Sequence, residues 1–192
     1  MMNKYIRIVA SDKNEFRTTM DIEIDGQKYS SVNVKIDSGC PQTTILTSKL
    51  GISEATARKL KATDSNDPNI KKTISFGVND SIQYRNETRQ KFNNGQLLDL
   101  PAVSFRKEVS NISISGVDIG SRKIKINYDR SGNILIGVDI LKTLDIHIGK
   151  ENSGKTVLLA CPQNSINREY LNALENLIEE STNISVTIIQ WG

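Results

Sequence analysis

The stretch Val34-Lys35-Ile36-Asp37-Ser38-Gly39-Cys40-Pro41-Gln42-Thr43-Thr44-Ile45 decides how the rest of the chain is interpreted. Apolar residues alternate with polar ones up to Ile36, which predicts a strand with one apolar face. The strand runs into a carboxylate, a hydroxyl and a glycine, and glycine allows a sharp turn because it has no Cβ. We therefore expect Asp37 to project from a tight loop, with backbone N–H groups close to its carboxylate.

A second apolar run, Ile134-Leu135-Ile136-Gly137, lies far along the chain. Together with Asp37-Ser38-Gly39 and Thr43-Thr44-Ile45, it resembles the retropepsin-like (retroviral-type) aspartic proteases. That family carries Asp-Thr/Ser-Gly-Ala/Ser-x-x-Thr and a late apolar-apolar-Gly segment that opens a short helix. The resemblance spans roughly residues 21–149. Cys40 stands where the family usually has Ala or Ser, and the segment between the two motifs is longer than in viral members.

The resemblance implies specific roles for the residues of the motif. Asp37 would be the catalytic residue, and the late apolar run would form a strand beneath the loop that carries it. Asp139 would cap or pair at the start of the helix that follows, a structural role. The active-site loop would be supported by Ser38, whose hydroxyl bonds across a dimer axis, by Gly39, which lets two loops approach, and by Thr43 and Thr44.

The chemistry of this family requires two carboxylates. One ionised carboxylate takes a proton from a water molecule while the protonated one donates to the scissile carbonyl, and the pair titrates in two separated steps. The sequence has one Asp-Ser-Gly and no second copy, since Asp64-Ser65-Asn66 lacks the glycine and Asp118-Ile119-Gly120 lacks the hydroxyl. We therefore expect a two-fold homodimer, with one Asp37 from each subunit, acting on a peptide or protein substrate.

Composition places the chain among ordinary globular proteins. It has 192 residues, of which 37% are hydrophobic and 24% charged, with a formal charge of +3. Basic residues cluster at 58–61, 71–72 and 122–125, and no aromatic residues interleave them, so we interpret them as solvated surface and expect no nucleic acid partner. No run approaches the ~18 apolar residues of a membrane span. The segment 6–10 is too short for a signal peptide.

The two cysteines, Cys40 and Cys161, are too few for a disulfide framework. Without an export signal we expect both to be reduced thiols in the cytoplasm. The resemblance implies a protein with no cofactor and no metal ion. The sole histidine, His147, lies between Ile146 and Ile148, which indicates a residue on a sheet face rather than a catalytic base.

Many short apolar segments separated by turn residues predict an all-β fold, either a closed barrel or a sandwich. Asp25-Gly26 is a strong two-residue hairpin signal. We expect the protease domain to cover 1–165, and a helix and strand to form an extension over 166–192 that is a candidate for the dimer interface. The predicted strands are 5–10, 18–24, 28–36, 44–46, 70–78, 81–92, 97–107, 111–115, 123–128, 134–136, 145–148, 156–160 and 184–191.

Three helices are expected. Ser53 caps a helix that runs to Lys61, a second helix covers 138–144, and a third covers 167–180, with its apolar spacing given by Leu171, Leu174, Leu177 and Ile178. Residues 63–69, 116–121 and 130–133 are predicted as loops or turns. A mobile hairpin over the cleft is expected at either 77–80 or 93–95, because both have the required turn residues.

Two rival interpretations stand beside the protease. Residues 149–156 match the phosphate-binding pattern Gly-x-x-x-x-Gly-Lys-Thr, which needs a strand before it and a helix after it. The short apolar run that follows ends at Cys161-Pro162, so we interpret the stretch as a polar hairpin turn. The other rival keeps the protease fold but is a catalytically silent module that binds or scaffolds peptides.

Overall fold

The computed structural model describes residues 3–63, 92–93, 96–97, 104–128 and 132–178. Eleven strands lie in these ranges, namely β1 Ile6–Val9, β2 Arg17–Ile24, β3 Gln27–Ile36, β4 Thr44–Leu46, β5 Phe92–Asn93, β6 Gln96–Leu97, β7 Ser104–Ile114, β8 Val117–Asn127, β9 Ile134–Ile136, β10 Leu144–Lys150 and β11 Thr156–Pro162. The α-helices of the described residues are short, namely α1 Glu54–Thr63, α2 Val138–Leu141 and α3 Arg168–Glu175, and two 3-10 helices cover Thr47–Leu50 and Gln163–Ser165. The prediction of an all-β fold is confirmed.

The chain divides into two compact units. The first comprises Met1–Ile45, Glu108–Lys125 and Gly132–Gly192, and it contains an antiparallel sheet in the order β1, β11, β10. The strands β2, β3, β9, β4, β8 and β7 close into a barrel, in that order, which confirms the barrel alternative. On these strands the first unit has buried apolar residues, among them Met20, Ile22, Ile24, Val34, Ile45, Ile112, Ile114, Ile124, Ile134 and Ile136.

The second unit comprises Leu46–Lys107 and Ile126–Ser131. In its described part, Ser53 accepts a hydrogen bond from the Thr56 N–H through its side chain, as predicted for the cap of α1. The helix extends two residues beyond Lys61, to Thr63. The strands β5 and β6 pair antiparallel. The predicted strands at 70–78 and 184–191 and the predicted turn at 77–80 lie outside the described residues, as does most of the strand at 81–92.

Local turn chemistry sets the register of the first hairpin. Asp25 and Gly26 both have positive φ, 50° and 77°, which is the conformation of the two-residue turn that matches strand twist. This turn pairs β2 with β3, so that Met20 lies opposite Val32 and Thr18 opposite Val34. The alternation of Val32 and Val34 places both side chains in the interior and carries β3 directly to Asp37.

The predicted loop at 116–121 is wrong, because β8 begins at Val117. The turn is made by Ser115 and Gly116 alone, with φ of 52° and 78°, and Val117 is already buried. Two positive φ values in succession close a hairpin in two residues, so the remaining polar residues belong to the strand. The predicted helix over 138–144 is too long, because α2 ends at Leu141 and the buried Leu144 already starts β10.

The helix predicted over 167–180 is correct at its start and wrong at its end. The Asn167 side chain accepts a hydrogen bond from the Tyr170 N–H and caps α3, which ends at Glu175. Ile178 has left the helix, because its N–H donates to the Lys150 carbonyl at 2.7 Å and joins the edge of the sheet. The residues predicted for the apolar face include two that are half exposed, Leu171 at 49% and Ile178 at 51%.

The face of α3 that is actually covered starts one residue earlier. Tyr170 is fully buried against Val157, Leu159 and Cys161 of β11, and Ala173, Leu174 and Leu177 pack beside it. The spacing from 170 through 173 and 174 to 177 is the helical i, i+3, i+4, i+7 pattern. This helix therefore covers one face of the three-stranded sheet. The opposite face of the sheet lies on the same side as Asp37.

Candidate active site

Asp37 lies directly after β3, at the point where that strand leaves the sheet. Its N–H donates to the Ile136 carbonyl at 2.9 Å, so the hydrogen bonds between β3 and the parallel strand β9 extend up to the aspartate itself. Its own carbonyl accepts from the Cys40 N–H at 3.1 Å, which closes a tight turn. The backbone of Asp37 is therefore held on both sides, and Asp37 begins a tight loop, as the sequence predicted.

The carboxylate of Asp37 is held by one oxygen. The Gly39 N–H donates to Oδ1 at 2.9 Å, and the side chain is half-buried. A Cβ on Gly39 would lie 3.2 Å from that same oxygen, which is tighter than an ordinary contact. A glycine at this position thus lets the backbone approach the carboxylate closely, and the prediction that N–H groups lie near Asp37 is confirmed.

The loop after Asp37 packs directly against Gly137. A Cβ at Gly137 would lie 2.6 Å from the Cys40 carbonyl oxygen, 2.7 Å from the Gln42 carbonyl carbon and 2.9 Å from the Thr43 nitrogen. All three are backbone atoms, so no side chain could turn aside to make room. The Val138 N–H donates to the Cys40 carbonyl at 2.9 Å from the same place. The two motifs that the sequence singled out are therefore in direct contact.

A buried hydroxyl fixes the far end of the loop. The Thr43 side chain is fully buried, donates to Asp139 Oδ1 at 2.7 Å and accepts from the Gly137 N–H at 2.9 Å. The Thr43 N–H also donates to Asp139 Oδ1 at 2.7 Å, and the Ile140 N–H does so at 2.9 Å. Asp139 therefore pairs at the start of α2, as predicted, and its partner is Thr43.

The remaining residues of the motif lie around this frame. β9 lies between β3 and β4, with Leu135 opposite both Lys35 and Thr44, so the late apolar run does lie beneath the Asp37 loop. The Ser38 side chain is exposed. Cys40 is half-buried, with its thiol 2.9 Å from the Gln42 carbonyl.

Beside Asp37 lies an open pocket of about 280 Å³. Asp37 and Ser38 form part of its wall, and the loop before β2 forms another part. Its apolar lining comes from several elements, namely Phe16, Ile36, Leu141, Ile146, Ile148 and Leu158. Asp37 therefore borders an open cavity whose lining combines polar and apolar side chains.

Glu15 and Lys35, which both line the pocket, belong to an ion-pair cluster that was not predicted from the sequence. Glu15 Oε1 accepts from Lys35 Nζ at 2.8 Å, and Glu15 Oε2 accepts from Arg17 Nε at 2.9 Å. These bonds lower the pKa of Glu15, so the carboxylate stays ionised. Each oxygen of the Glu15 carboxylate is therefore paired with a cationic side chain.

The rejected alternatives lie away from this pocket or have the wrong geometry. Residues 149–156 form a hairpin between β10 and β11, with Lys150 opposite Thr156, and Thr156 begins a strand where a phosphate loop needs a helix. His147 lies on β10 with Nε2 3.2 Å from Asp145 Oδ2, as expected of a sheet-face residue. Cys161 is buried, and burial raises its pKa above the ordinary thiol value.

Tyr170 forms a second buried polar contact behind the sheet. Its hydroxyl lies 2.9 Å from both the carbonyl and Oδ2 of Asp145. Burial raises the pKa of Tyr170 far above its ordinary value, and the neighbouring carboxylate adds to the shift. The contact anchors α3 to β10 and takes no part in the pocket of Asp37.

No protein-family model matches this chain, and no curated protein matches it in sequence. Its fold is similar to the crystal structure of a retropepsin-like aspartic protease from Rickettsia conorii. The two chains share 13% identity with a TM-score of 0.39, and the similarity covers 82% of this chain and 91% of that chain.

None of the helices among the described residues is long and apolar enough to cross a membrane. In the same part of the chain, no group of three or more His, Cys, Asp or Glu side chains is arranged to hold a metal ion. Of the two candidate flap turns, 77–80 lies outside the described residues, as do residues 94 and 95 of the other.

Proposed function

We propose that this protein is an aspartic endopeptidase that hydrolyses peptide bonds with Asp37. One observation carries the proposal: the Asp37 carboxylate stands on a loop fixed against Gly137, with one oxygen held by the Gly39 N–H and an open pocket of polar and apolar side chains beside it. A preorganised carboxylate beside a cavity is suited to orient a water molecule toward a substrate carbonyl.

The reaction requires a second carboxylate, and we propose that a second copy of the chain supplies it. One Asp37 would be ionised and take a proton from the water, while the other would be protonated and donate to the scissile carbonyl oxygen. Two carboxylates that share one proton across a water molecule do not both ionise readily, because their negative charges repel, so the pair would titrate in two separated steps. In the described part of one chain, the acidic side chain that shares the pocket is Glu15, which is already paired.

The supporting residues of the loop would have distinct roles in this proposal. Ser38, whose side chain is exposed, would hydrogen-bond across the dimer axis, and Gly39 would allow the two loops to approach. Thr43 would hold the loop at the correct height over Gly137 through its contact with Asp139. Thr44 would continue the loop into β4. The domain limits at 1–165 and the cytoplasmic location remain predictions.

The test compares Asp37→Asn with Asp118→Asn. Asp118 is a matched control, because its Oδ1 accepts from the Gly120 N–H at 2.8 Å in the same local arrangement as Asp37 and Gly39, yet it does not line the pocket. Each variant and the wild type are incubated with a peptide library near pH 5. We expect wild type and Asp118→Asn to cleave and Asp37→Asn to be inactive, and a hydroxyl-bearing peptide analogue such as pepstatin to inhibit.

Two results would refute the proposal. Cleavage by folded Asp37→Asn at the wild-type rate would show that another group does the chemistry. Binding of library peptides by a folded wild-type dimer without any cleavage would favour the silent peptide-binding module.

A further inference from the structure

We infer that Arg122, on β8, is a positioning residue for the loop that carries Asp37. Its guanidinium holds the start of α2 through the Asp139 carbonyl, and the Asp139 carboxylate holds Thr43 at the far end of that loop. The inference rests on the proposed function, because a positioning role in catalysis requires that Asp37 does the chemistry. It adds a cation from a third segment of the chain to the frame formed by the two motifs.

The first support is the direction in which β8 turns the Arg122 side chain. The buried residues of this strand are Val117 near its start and Ile124 and Ile126 near its end, so the inward face moves from odd to even positions in between. Gly120 lies in this interval with a φ of 84°, the backbone conformation of a glycine bulge, and such a bulge re-aims the residues after it. Arg122 therefore shares the inward face with Ile124 and Ile126.

The contacts of Arg122 differ from the solvated surface predicted for the basic cluster at 122–125. Arg122 is half-buried, whereas Lys123 is exposed. Its Nη1 donates to the Asp139 carbonyl and its Nη2 to the Ile119 carbonyl, both at 3.3 Å. Its Nε is buried and has no hydrogen-bond partner among the described residues. Because an unpaired buried donor lowers stability, the two Nη contacts are what hold the guanidinium in place.

The second support is the carbonyl that Arg122 contacts. The last carbonyls of a helix have no partner within it. In α2, the Val138 and Ile140 carbonyls each accept from a backbone N–H of the residues that follow the helix, at 2.9 Å. The Asp139 carbonyl between them accepts from Arg122. A cation at this end of a helix is also favourable electrostatically.

The third support is that the same aspartate reaches the catalytic loop. Asp139 Oδ1 accepts from both the N–H and the hydroxyl of Thr43, each at 2.7 Å. Asp139 is thus held through its carbonyl by Arg122 and holds the loop through its carboxylate. Without the Arg122 contact, α2 and the loop could shift together, and a displacement of about 1 Å at a catalytic group can lower the rate about 100-fold.

The experiment compares peptide cleavage by wild type, Arg122→Met and Lys125→Met. Methionine keeps a long flexible side chain but donates no hydrogen bond. Lys125 is the matched control, because it is a half-buried cation of the same strand that lies between Ile124 and Ile126 and so points to the other face. We expect Arg122→Met to lower kcat about tenfold or more with KM within about twofold, since Arg122 does not line the pocket, and Lys125→Met to match wild type.

The pH profile distinguishes positioning from a general loss of stability. The two titration steps of a carboxylate pair are separated because the two charges repel at short range. A loosened loop would let the carboxylates move apart, so the acid and alkaline limbs of kcat/KM should approach each other in Arg122→Met. A lower kcat with an unchanged profile would mean that the variant only reduces the amount of folded enzyme, and would overturn the inference.

A further readout does not depend on catalysis. The Cys40 thiol lies in the same loop, half-buried and 2.9 Å from the Gln42 carbonyl, whereas Cys161 is fully buried. The rate at which a thiol reagent such as DTNB modifies Cys40, assigned by peptide mass spectrometry, therefore reports how firmly the loop is held. We expect Arg122→Met to raise this rate about tenfold and Lys125→Met to leave it within about twofold of wild type.

A double-mutant comparison tests the route through Asp139. Thr43→Val removes the hydroxyl that Asp139 holds, so adding Arg122→Met should raise the Cys40 rate by much less than it does in the wild-type background. Rate increases that simply multiply would overturn the inference. If Arg122→Met does not fold, Arg122→Lys takes its place, because it keeps the charge but has one nitrogen where Arg122 uses two. It should give a smaller change in the same direction, and no change would overturn the inference.

The outcomes separate this inference from the proposed function. If wild type cleaves nothing, the protease proposal fails, while faster modification of Cys40 in Arg122→Met would still show that Arg122 holds the loop. If wild type cleaves peptides and Arg122→Met matches it in kcat, pH profile and Cys40 rate, the protease proposal stands and the inference fails.

Discussion

Replacing Gly137 with alanine tests the contact between the two motifs. The added methyl group would lie 2.6 Å from the Cys40 carbonyl oxygen and 2.7 Å from the Gln42 carbonyl carbon, whereas ordinary contact begins at 3.4 Å. The backbone of the Asp37 loop would therefore have to retreat by most of an ångström. That retreat would stretch two hydrogen bonds, from the Val138 N–H to Cys40 and from the Gly137 N–H to the Thr43 hydroxyl.

The expected loss of stability follows from these contacts. Overpacking a well-packed interior typically costs about 1–3 kcal/mol, and the upper part of that range applies where backbone atoms must move. A weakened hydrogen bond adds up to about 1 kcal/mol. We therefore expect Gly137→Ala to lower the free energy of unfolding by about 2–4 kcal/mol.

The assay is urea unfolding followed by far-UV circular dichroism, at one fixed protein concentration because dimerisation would contribute to stability. Gly149→Ala is the matched control, since its Cβ would meet Leu177 at 3.4 Å, an ordinary contact, in a strand where alanine is the better residue. We expect this control to be neutral or slightly stabilising. If Gly137→Ala unfolded within about 0.5 kcal/mol of wild type, the close packing of the loop on Gly137 would be refuted.

Three further predictions follow from the same structure. Thr43→Val should destabilise the fold by about 1–3 kcal/mol, because it leaves the buried Asp139 contact without its hydroxyl, while Thr43→Ser keeps that hydroxyl and should lose less. Stability should fall as pH rises above about 10, since the native fold raises the pKa of Tyr170 and the unfolded chain gives up that proton first, and Tyr170→Phe should flatten this fall. Addition of ATP and Mg²⁺ should leave the melting temperature unchanged, because residues 149–156 form a hairpin that offers no helix N-terminus to a phosphate.

Each of these three has a contradicting result. Equal unfolding free energies for Thr43→Val and Thr43→Ser would show that the hydroxyl contact has no energetic weight. A Tyr170→Phe protein with the same alkaline slope as wild type would assign that slope to another group. A concentration-dependent rise in melting temperature with ATP would restore the nucleotide-binding interpretation of 149–156.

Short-range chemistry made much of the fold predictable. The Asp25-Gly26 pair fixes a hairpin by its backbone conformation alone, and the alternation of Val32 and Val34 fixes which face of β3 is buried. The Ser53 cap is likewise local, because its side chain accepts from the Thr56 N–H three residues further on. Elements of this kind need no information from elsewhere in the chain, which is why they could be predicted.

The elements that failed depend on partners distant in sequence. α3 ends early because Ile178 finds a hydrogen-bond partner in Lys150, which periodicity within the helix does not indicate. The leucine spacing predicts an apolar face that starts at Leu171, whereas the face that packs on β11 starts at Tyr170. The short turn at Ser115 and Gly116 was missed because the polar residues after it suggested a longer loop.

The candidate site shows the same division. The aspartate, the glycine and the late apolar run could be singled out from the sequence, and the structure brings Asp37, Gly39 and Gly137 into one frame. The ion pairs of Glu15 with Lys35 and Arg17 could not be found in that way, because each partner alone is an ordinary surface charge. Their proximity to Asp37 depends on how the loop before β2 folds back on β3.

The most direct measurement is peptide cleavage in mixtures of wild type with Asp37→Asn after the subunits have exchanged. If each active unit needs Asp37 from both copies, activity follows the square of the wild-type fraction, so an equal mixture retains about a quarter of the activity of the same total amount of wild type. Retention of about half, in direct proportion to the wild-type fraction, would mean that each chain works alone and would contradict the shared pair of carboxylates.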